Sequence, residues 1–166
     1  RNPYTNGNAW FVENVLMVES ADAEITQLDS INTKNTAIVH KEFLPYLPLA
    51  NIQRDSTATI DLVSHKPNHL VYEAASGSEQ LAVFSEIYYP KGWNAYIDGK
   101  PVSHIRVNYL LRALKIPAGY SNIEFKFEPS VIKTGSTIAL FSSVLLLLFI
   151  LITLWYTFRK RQLTTV

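Results

Sequence analysis

Residues 134–158 contain no charged side chain, and the centre of that run, 138–156, reads IALFSSVLLLLFILITLWY. No other feature restricts the fold of the chain so strongly. A bilayer hydrocarbon core of roughly 30 Å needs about 20 apolar residues in helical form. In lipid every backbone N–H and C=O must pair within the segment, so a lone run of this length has to be a helix. A signal peptide would stand at the N-terminus with a shorter apolar core. A buried helix of a soluble protein rarely stays apolar on every side for so long. The run therefore reads as a transmembrane helix over 137–158.

Arg159, Lys160 and Arg161 follow it directly, and Lys133 is the close cation on the other flank. An excess of Lys and Arg beside a span marks its cytoplasmic side. Trp155 and Tyr156 stand where an interfacial aromatic belt would. Residues 159–166 are thus expected to be a cytoplasmic tail and residues 1–129 an extracytoplasmic domain. Between them, 130–136 is expected to be a juxtamembrane linker, short enough to hold the domain close to the lipid. The chain carries 15 basic and 14 acidic residues. With three of the cations in the tail, the outer part has a net charge near −2, and no basic stripe suggests nucleic acid as a partner. There is no cysteine, so no disulfide staples the domain and none reports its compartment. The chain opens on Arg1 rather than Met, as a processed chain or a piece of something longer would.

The outer part reads as strands. Residues 8–18 suggest one or two early strands, and 36–40 another. Ser20 is placed to cap a short helix, with Asp22 and Glu24 in its first turn, where the helix dipole favours anions. Ile25, Leu28 and Ile31 would give that helix an apolar side. Residues 44–55, with Pro45 and Pro48, read as an irregular connection. From residue 57 the apolar period becomes two: Ala58, Ile60 and Leu62, then Leu70, Tyr72 and Ala74, and later Ile123, Phe125 and Phe127. Such alternation marks half-buried strands. Residues 81–89 are almost continuously apolar, which suits a central strand. Asp98-Gly99 supplies the positive φ angles of a tight hairpin turn, and Pro117-Ala118-Gly119 marks a second turn. Short strands with a turn every 8–12 residues or so predict an antiparallel β-sandwich.

Chemistry is sparse. His65 and His69 have a helical metal-ligand spacing, but Pro67 lies between them in a strand–turn–strand context, and no metal site is expected. His40 and His104 are isolated. No nucleophile elbow and no Gly-rich phosphate loop occurs, so no cofactor is expected. Asp61, Glu73, Glu86 and Asp98 offer carboxylates of the kind a glycosidase pairs, although strand faces usually carry such charges solvated. The richest constellation is aromatic: Tyr88, Tyr89, Trp93, Tyr96 and Tyr109 stand among polar residues. Asn94, Tyr96, Asp98, Arg106, Asn108, Tyr109 and Arg112 form a candidate surface for a sugar or a protein partner, rings stacking on a pyranose and polar groups bonding its hydroxyls. The competing reading makes the aromatics core or cross-strand packing. It suits Trp93 best. Tyr96, on the other face of the same strand, is open to either.

Tyr89-Pro90-Lys91-Gly92-Trp93, Tyr96-Ile97-Asp98-Gly99-Lys100, Val107-Asn108-Tyr109, Leu111-Arg112-Ala113 and Pro117-Ala118-Gly119 follow one another in an order and spacing that resemble the C-terminal region of bacterial YfhO-family membrane proteins. The opening, from Asn2-Pro3 through Gly7-Asn8-Ala9-Trp10-Phe11-Val12, and the close, IEFKFEPSVIKTGSTIAL, are similar too. The resemblance implies a large polytopic protein of the GT-C glycosyltransferase class. Such a protein would use a lipid-linked sugar at the outer face of the bacterial cytoplasmic membrane to modify envelope polymers. It also implies that the acidic catalytic residues of that class lie upstream, in an early loop outside this chain. Three functions remain open: a non-catalytic domain of such a glycosyltransferase, a single-pass membrane-anchored carbohydrate- or protein-binding module, and an ectoenzyme hydrolase. Under the first, the partners are the lipid bilayer, the remaining transmembrane helices, and an envelope glycan or lipid-linked sugar.

Overall fold

Alternation of apolar and polar residues puts one face of each strand against a partner layer, and that pairing sets the architecture. The computed structural model describes residues 5–46 and 55–163. It divides into two units, Arg1–Glu128 and Pro129–Val166.

Within the first unit, one sheet has the order β1 (Ala9–Val12), β6 (Gln80–Ile87), β10 (Leu111–Ile116), β9 (Ile105–Val107). A second has the order β4 (Thr59–Lys66), β5 (His69–Ser76), β11 (Gly119–Phe127), β7 (Trp93–Ile97), β8 (Lys100–Val102). All pairings in both are antiparallel. The inward residues of the alternating runs meet between them: Leu70, Tyr72, Ala74, Ile123 and Phe125 from one sheet, Ala82, Phe84, Leu114 and Ile116 from the other. Tyr72, Phe84 and Phe125 pack edge to face, with centroids 4.9, 5.0 and 6.2 Å apart. Each such pair adds about 1 kcal/mol beyond the area it buries. The mainly β, antiparallel sandwich expected from the alternation is the fold found.

A third layer extends it. β2 (Asn14–Val18) and β3 (Thr36–His40) pair in parallel, joined through helix α1 (Ala21–Leu28). This strand–helix–strand unit covers the outer face of the first sheet, where Val12, Leu81, Val83, Ile105, Val107 and Ala113 meet Ala37 and Val39. β6 is therefore buried on both faces from Gln80 to Phe84, which is why residues 81–84 do not alternate; Ile87 and Tyr89, in the rest of the same apolar run, are exposed. Ser20 caps α1, its hydroxyl accepting from the Ala23 N–H at 3.1 Å. The inward side of α1 is not the expected apolar one. Ile25 is 49% exposed, while Glu24 is 0% exposed. A single 3₁₀ helix, Lys41–Tyr46, follows β3; the rest of the expected irregular connection, 47–54, lies outside the described residues.

Asp98 (φ 51°) and Gly99 (φ 75°) form the tight β7–β8 turn, as Asp-Gly predicts. Asn108 (φ 49°) and Tyr109 (φ 70°) make a second left-handed pair before β10, without a glycine.

The second unit is one helix, α2, Ser130–Leu163. It begins at Ser130, so the stretch 130–136, expected as a juxtamembrane linker, is helical. Ser130–Arg159 is long and apolar enough to cross a membrane, and its described side chains are all exposed.

Candidate functional site

The edge of the second sheet at β7 and β8 does not end flush against solvent. The 3₁₀ helix Lys41–Tyr46 and the loop after β6 rise beside it, leaving an open cleft of about 700 Å³. Its walls carry Glu42 and Tyr46 from the 3₁₀ helix, Tyr88 from the loop, Asn94 and Tyr96 from β7, and His104 beyond β8. The volume lies in the usual range for a small-ligand site, and an apolar wall with a few convergent polar groups is the usual lining.

The electrostatics of the cleft are those of a neutral site. No lysine or arginine is among its described lining residues. Glu42 is already engaged, with Arg106 Nη2 at 3.7 Å and His40 Nδ1 at 3.2 Å. His104 is pushed down to about 4, by burial first and then by the charge of Arg112, so its ring is neutral at ordinary pH. Its Nε2 is buried and has no hydrogen-bond partner among the described residues. Burial holds the Tyr88 phenol above its usual range. Such a wall offers acceptors and neutral donors, which suits hydroxyl groups and not a phosphate.

The seven candidate residues read from the sequence separate into four places. Asn94 and Tyr96 do line the cleft, and both donate to Glu128 Oε2, at 3.0 and 2.8 Å. The bond to that carboxylate raises the Tyr96 phenol, and Lys126 Nζ lies 4.9 Å from the ring centroid. Trp93, on the inner face of β7, packs against the core between the sheets. Asp98 sits in its turn, where Oδ1 accepts the Asn122 N–H at 2.9 Å.

Arg106, Asn108 and Tyr109 gather beneath α1. Arg106 Nη2 bonds Glu24 Oε2 at 3.1 Å, and Glu24 Oε1 accepts the Tyr109 N–H at 2.8 Å. Asn108 is buried, and its Oδ1 accepts the Ile38 N–H at 2.8 Å. Arg106 reaches the cleft only indirectly, by holding Glu42 and by lying 5.8 Å from the Phe43 ring centroid.

Arg112 is no surface residue. It is 1% exposed, with its guanidinium 4.7 Å from the Trp93 centroid and 4.6 Å from that of Phe125. Glu86, its ion-pair partner, is 3.7 Å away. Burial lowers the pKa of Arg112, and its Nε and Nη1, like the Tyr72 hydroxyl, find no hydrogen-bond partner among the described residues.

The sequence also missed members of the cleft. Glu42, Tyr46 and Ser103 carried no local signal, because they enter it through the 3₁₀ helix and a loop whose placement is tertiary. His104 was visible only as an isolated histidine. The four carboxylates disperse: Asp61 and Glu73 are register partners on the solvent face of β4 and β5, Glu86 pairs with Arg112, and Asp98 is in its turn. His65 and His69 lie on paired strands, His69 bonding Glu124 at 2.7 Å. No cluster of three metal-binding side chains occurs among the described residues.

A protein-family profile described as bacterial membrane protein YfhO matches residues 26–139, well over half of the chain. The matched stretch runs from within α1, through every strand from β3 to β11, into α2, and leaves β1 and β2 outside it. No curated protein and no solved structure matches the chain.

Proposed function

The chain belongs to the YfhO family of bacterial membrane proteins, and from that premise we propose a role for its sandwich. Residues 1–129 act as the extracytoplasmic, non-catalytic C-terminal domain of a polytopic protein resembling lipid-linked-sugar-dependent glycosyltransferases, with residues 159–166 in the cytoplasm. The observation that carries this reading is the extent of the family match, which includes most of the β domain, from within α1 through β11, and the start of the membrane helix. The basic triplet Arg159, Lys160 and Arg161 supports the orientation. The cleft supports a binding role rather than a catalytic one: its carboxylate Glu42 is already paired and its His104 is held neutral. It would take a neutral saccharide, with Tyr46, 60% exposed, as the free ring for stacking.

Reporter fusions test the orientation. Alkaline phosphatase joined after Val166 should be inactive, and a fluorescent protein joined there should glow; an active phosphatase would overturn the placement. A hydropathy reading of the complete gene tests the wider claim. Many further spans upstream of Arg1 are expected. A lone signal peptide there would favour the single-pass binding module instead.

A further inference from the structure

The end of the sandwich from which the chain leaves β11 differs from the rest of its surface. Phe127 donates its N–H to the Asn68 carbonyl at 2.9 Å, and Glu128 donates to the Gly92 carbonyl at 2.7 Å. The β4–β5 turn and the loop after β6 therefore meet at this exit. The Tyr89 ring stacks on Phe127, centroids 6.5 Å apart. A Cβ at Gly92 would collide with both rings, so only glycine lets the loop close so tightly. The Tyr88 N–H bonds the Leu110 carbonyl at 2.7 Å, which draws the turn before β10 to the same rim. Around it stand Ile87, Tyr89 and Leu110, which are 65%, 46% and 53% exposed. Lys66 and Lys91 are exposed beside them.

Chain continuity indicates what covers these side chains. The apolar helix begins at Ser130, two residues after Glu128. Ser130–Arg159 has 30 residues, about 45 Å of helix at 1.5 Å per residue. That matches the full bilayer, roughly 40–45 Å with its headgroups. A helix filling the whole thickness puts its first residue at headgroup level, and two residues extend the chain by only about 7 Å.

We propose that the rim formed by Ile87, Tyr89 and Leu110 is an interfacial foot resting on the bilayer. The aliphatic side chains enter the boundary between headgroups and acyl chains. Tyr89 sits where amphipathic rings concentrate, and Lys66 and Lys91 lie among lipid phosphates, to which an anionic surface draws them. This goes beyond the glycosyltransferase reading and holds whichever face of the membrane carries the domain.

The absence of cysteine makes the test direct. Ile87→Cys, Leu110→Cys and Tyr120→Cys are each labelled with a bimane fluorophore in the full chain. Each is reconstituted in vesicles of equal phosphatidylcholine and phosphatidylglycerol, with a share of the lipid bearing a nitroxide high on its acyl chain. Tyr120 is the control: it is 63% exposed and lies at the opposite end of β11. Labels at 87 and 110 should be quenched several-fold more than the label at 120, and Lys66→Glu with Lys91→Glu should weaken that quenching. Equal quenching at the three sites, or none, overturns the proposal. So does a blue shift at 110 without quenching, since a second copy of the protein would then be covering the rim.

Discussion

His104 and Arg112 show at residue scale how far burial outweighs the usual habits of polar side chains. A guanidinium defaults to the surface, and on that default Arg112 joins a binding face. Register says otherwise: Arg112, Leu114 and Ile116 are two apart on β10 and share the core side. The aromatic walls of Trp93 and Phe125 offset part of the desolvation, as cations over ring faces do. The same charge works against a proton on His104. With its folded pKa lowered from 6.5 to about 4, His104 binds a proton in the unfolded chain between those limits and not in the folded one. The unfolded state then holds more protons, so stability rises with pH across this window and is lost as pH falls from about 6.5 towards about 4. Urea midpoints measured from pH 4.5 to 7 should climb in the natural chain and flatten in His104→Gln. A slope unchanged by that substitution would assign the dependence to other groups.

Among the elements, α1 is the one whose ends the sequence marks and whose face it hides. Ser20, Asp22 and Glu24 announce the cap and the first turn, and the cap is found. The inward side depends on what lies beneath, and that is the turn at Asn108 and Tyr109. Two non-glycine residues hold left-handed φ there, a sparsely populated conformation that surrounding structure must impose. Ile38 fixes Asn108 and Glu24 fixes Tyr109, so the turn is written in segments some 70–85 residues away. The parallel pairing of β2 and β3 was hidden for a similar reason: short apolar runs do not reveal whether a helix between them serves as a crossover. The hairpins, by contrast, carry local signals in Asp98-Gly99 and Gly119, and their strands were legible. Of the cleft, the aromatic and polar cluster of the sequence marked Tyr88, Trp93, Asn94 and Tyr96, but not the 3₁₀-helix residues Glu42 and Tyr46 that stand opposite them. Removing Glu24 should therefore cost much more than a helix-surface change. Glu24→Ala leaves Arg106 without its buried partner and the Tyr109 N–H without an acceptor, and breaking such a pair costs about 3 kcal/mol. Glu24→Gln keeps an acceptor for Tyr109 and should cost less. Urea unfolding of both variants checks the order; a loss below about 1 kcal/mol for Glu24→Ala would mean that α1 is not what holds the turn.

At the scale of the whole molecule, the two units ask for different solvents. Of the large apolar side chains exposed among the described residues, eight are spread over the first unit, whereas eighteen crowd the helix between Val131 and Phe158. Burying one such side chain is worth about 1.5–3 kcal/mol, so the helix gains far more from lipid than the sandwich gains from any cover. The sandwich closes its own core on both faces of β6 and needs no disulfide, and a chain of its length buries roughly two thirds of its unfolded surface by itself. A fragment ending at Glu128 should therefore stay soluble without detergent and unfold in one cooperative step, at nearly the temperature of the same domain in the full chain. The full chain should partition into membranes and aggregate when detergent is withdrawn. Calorimetry and sedimentation of the pair decide the matter. If the fragment aggregates, or melts far below the full chain, the sandwich depends on a cover that its own sheets do not supply.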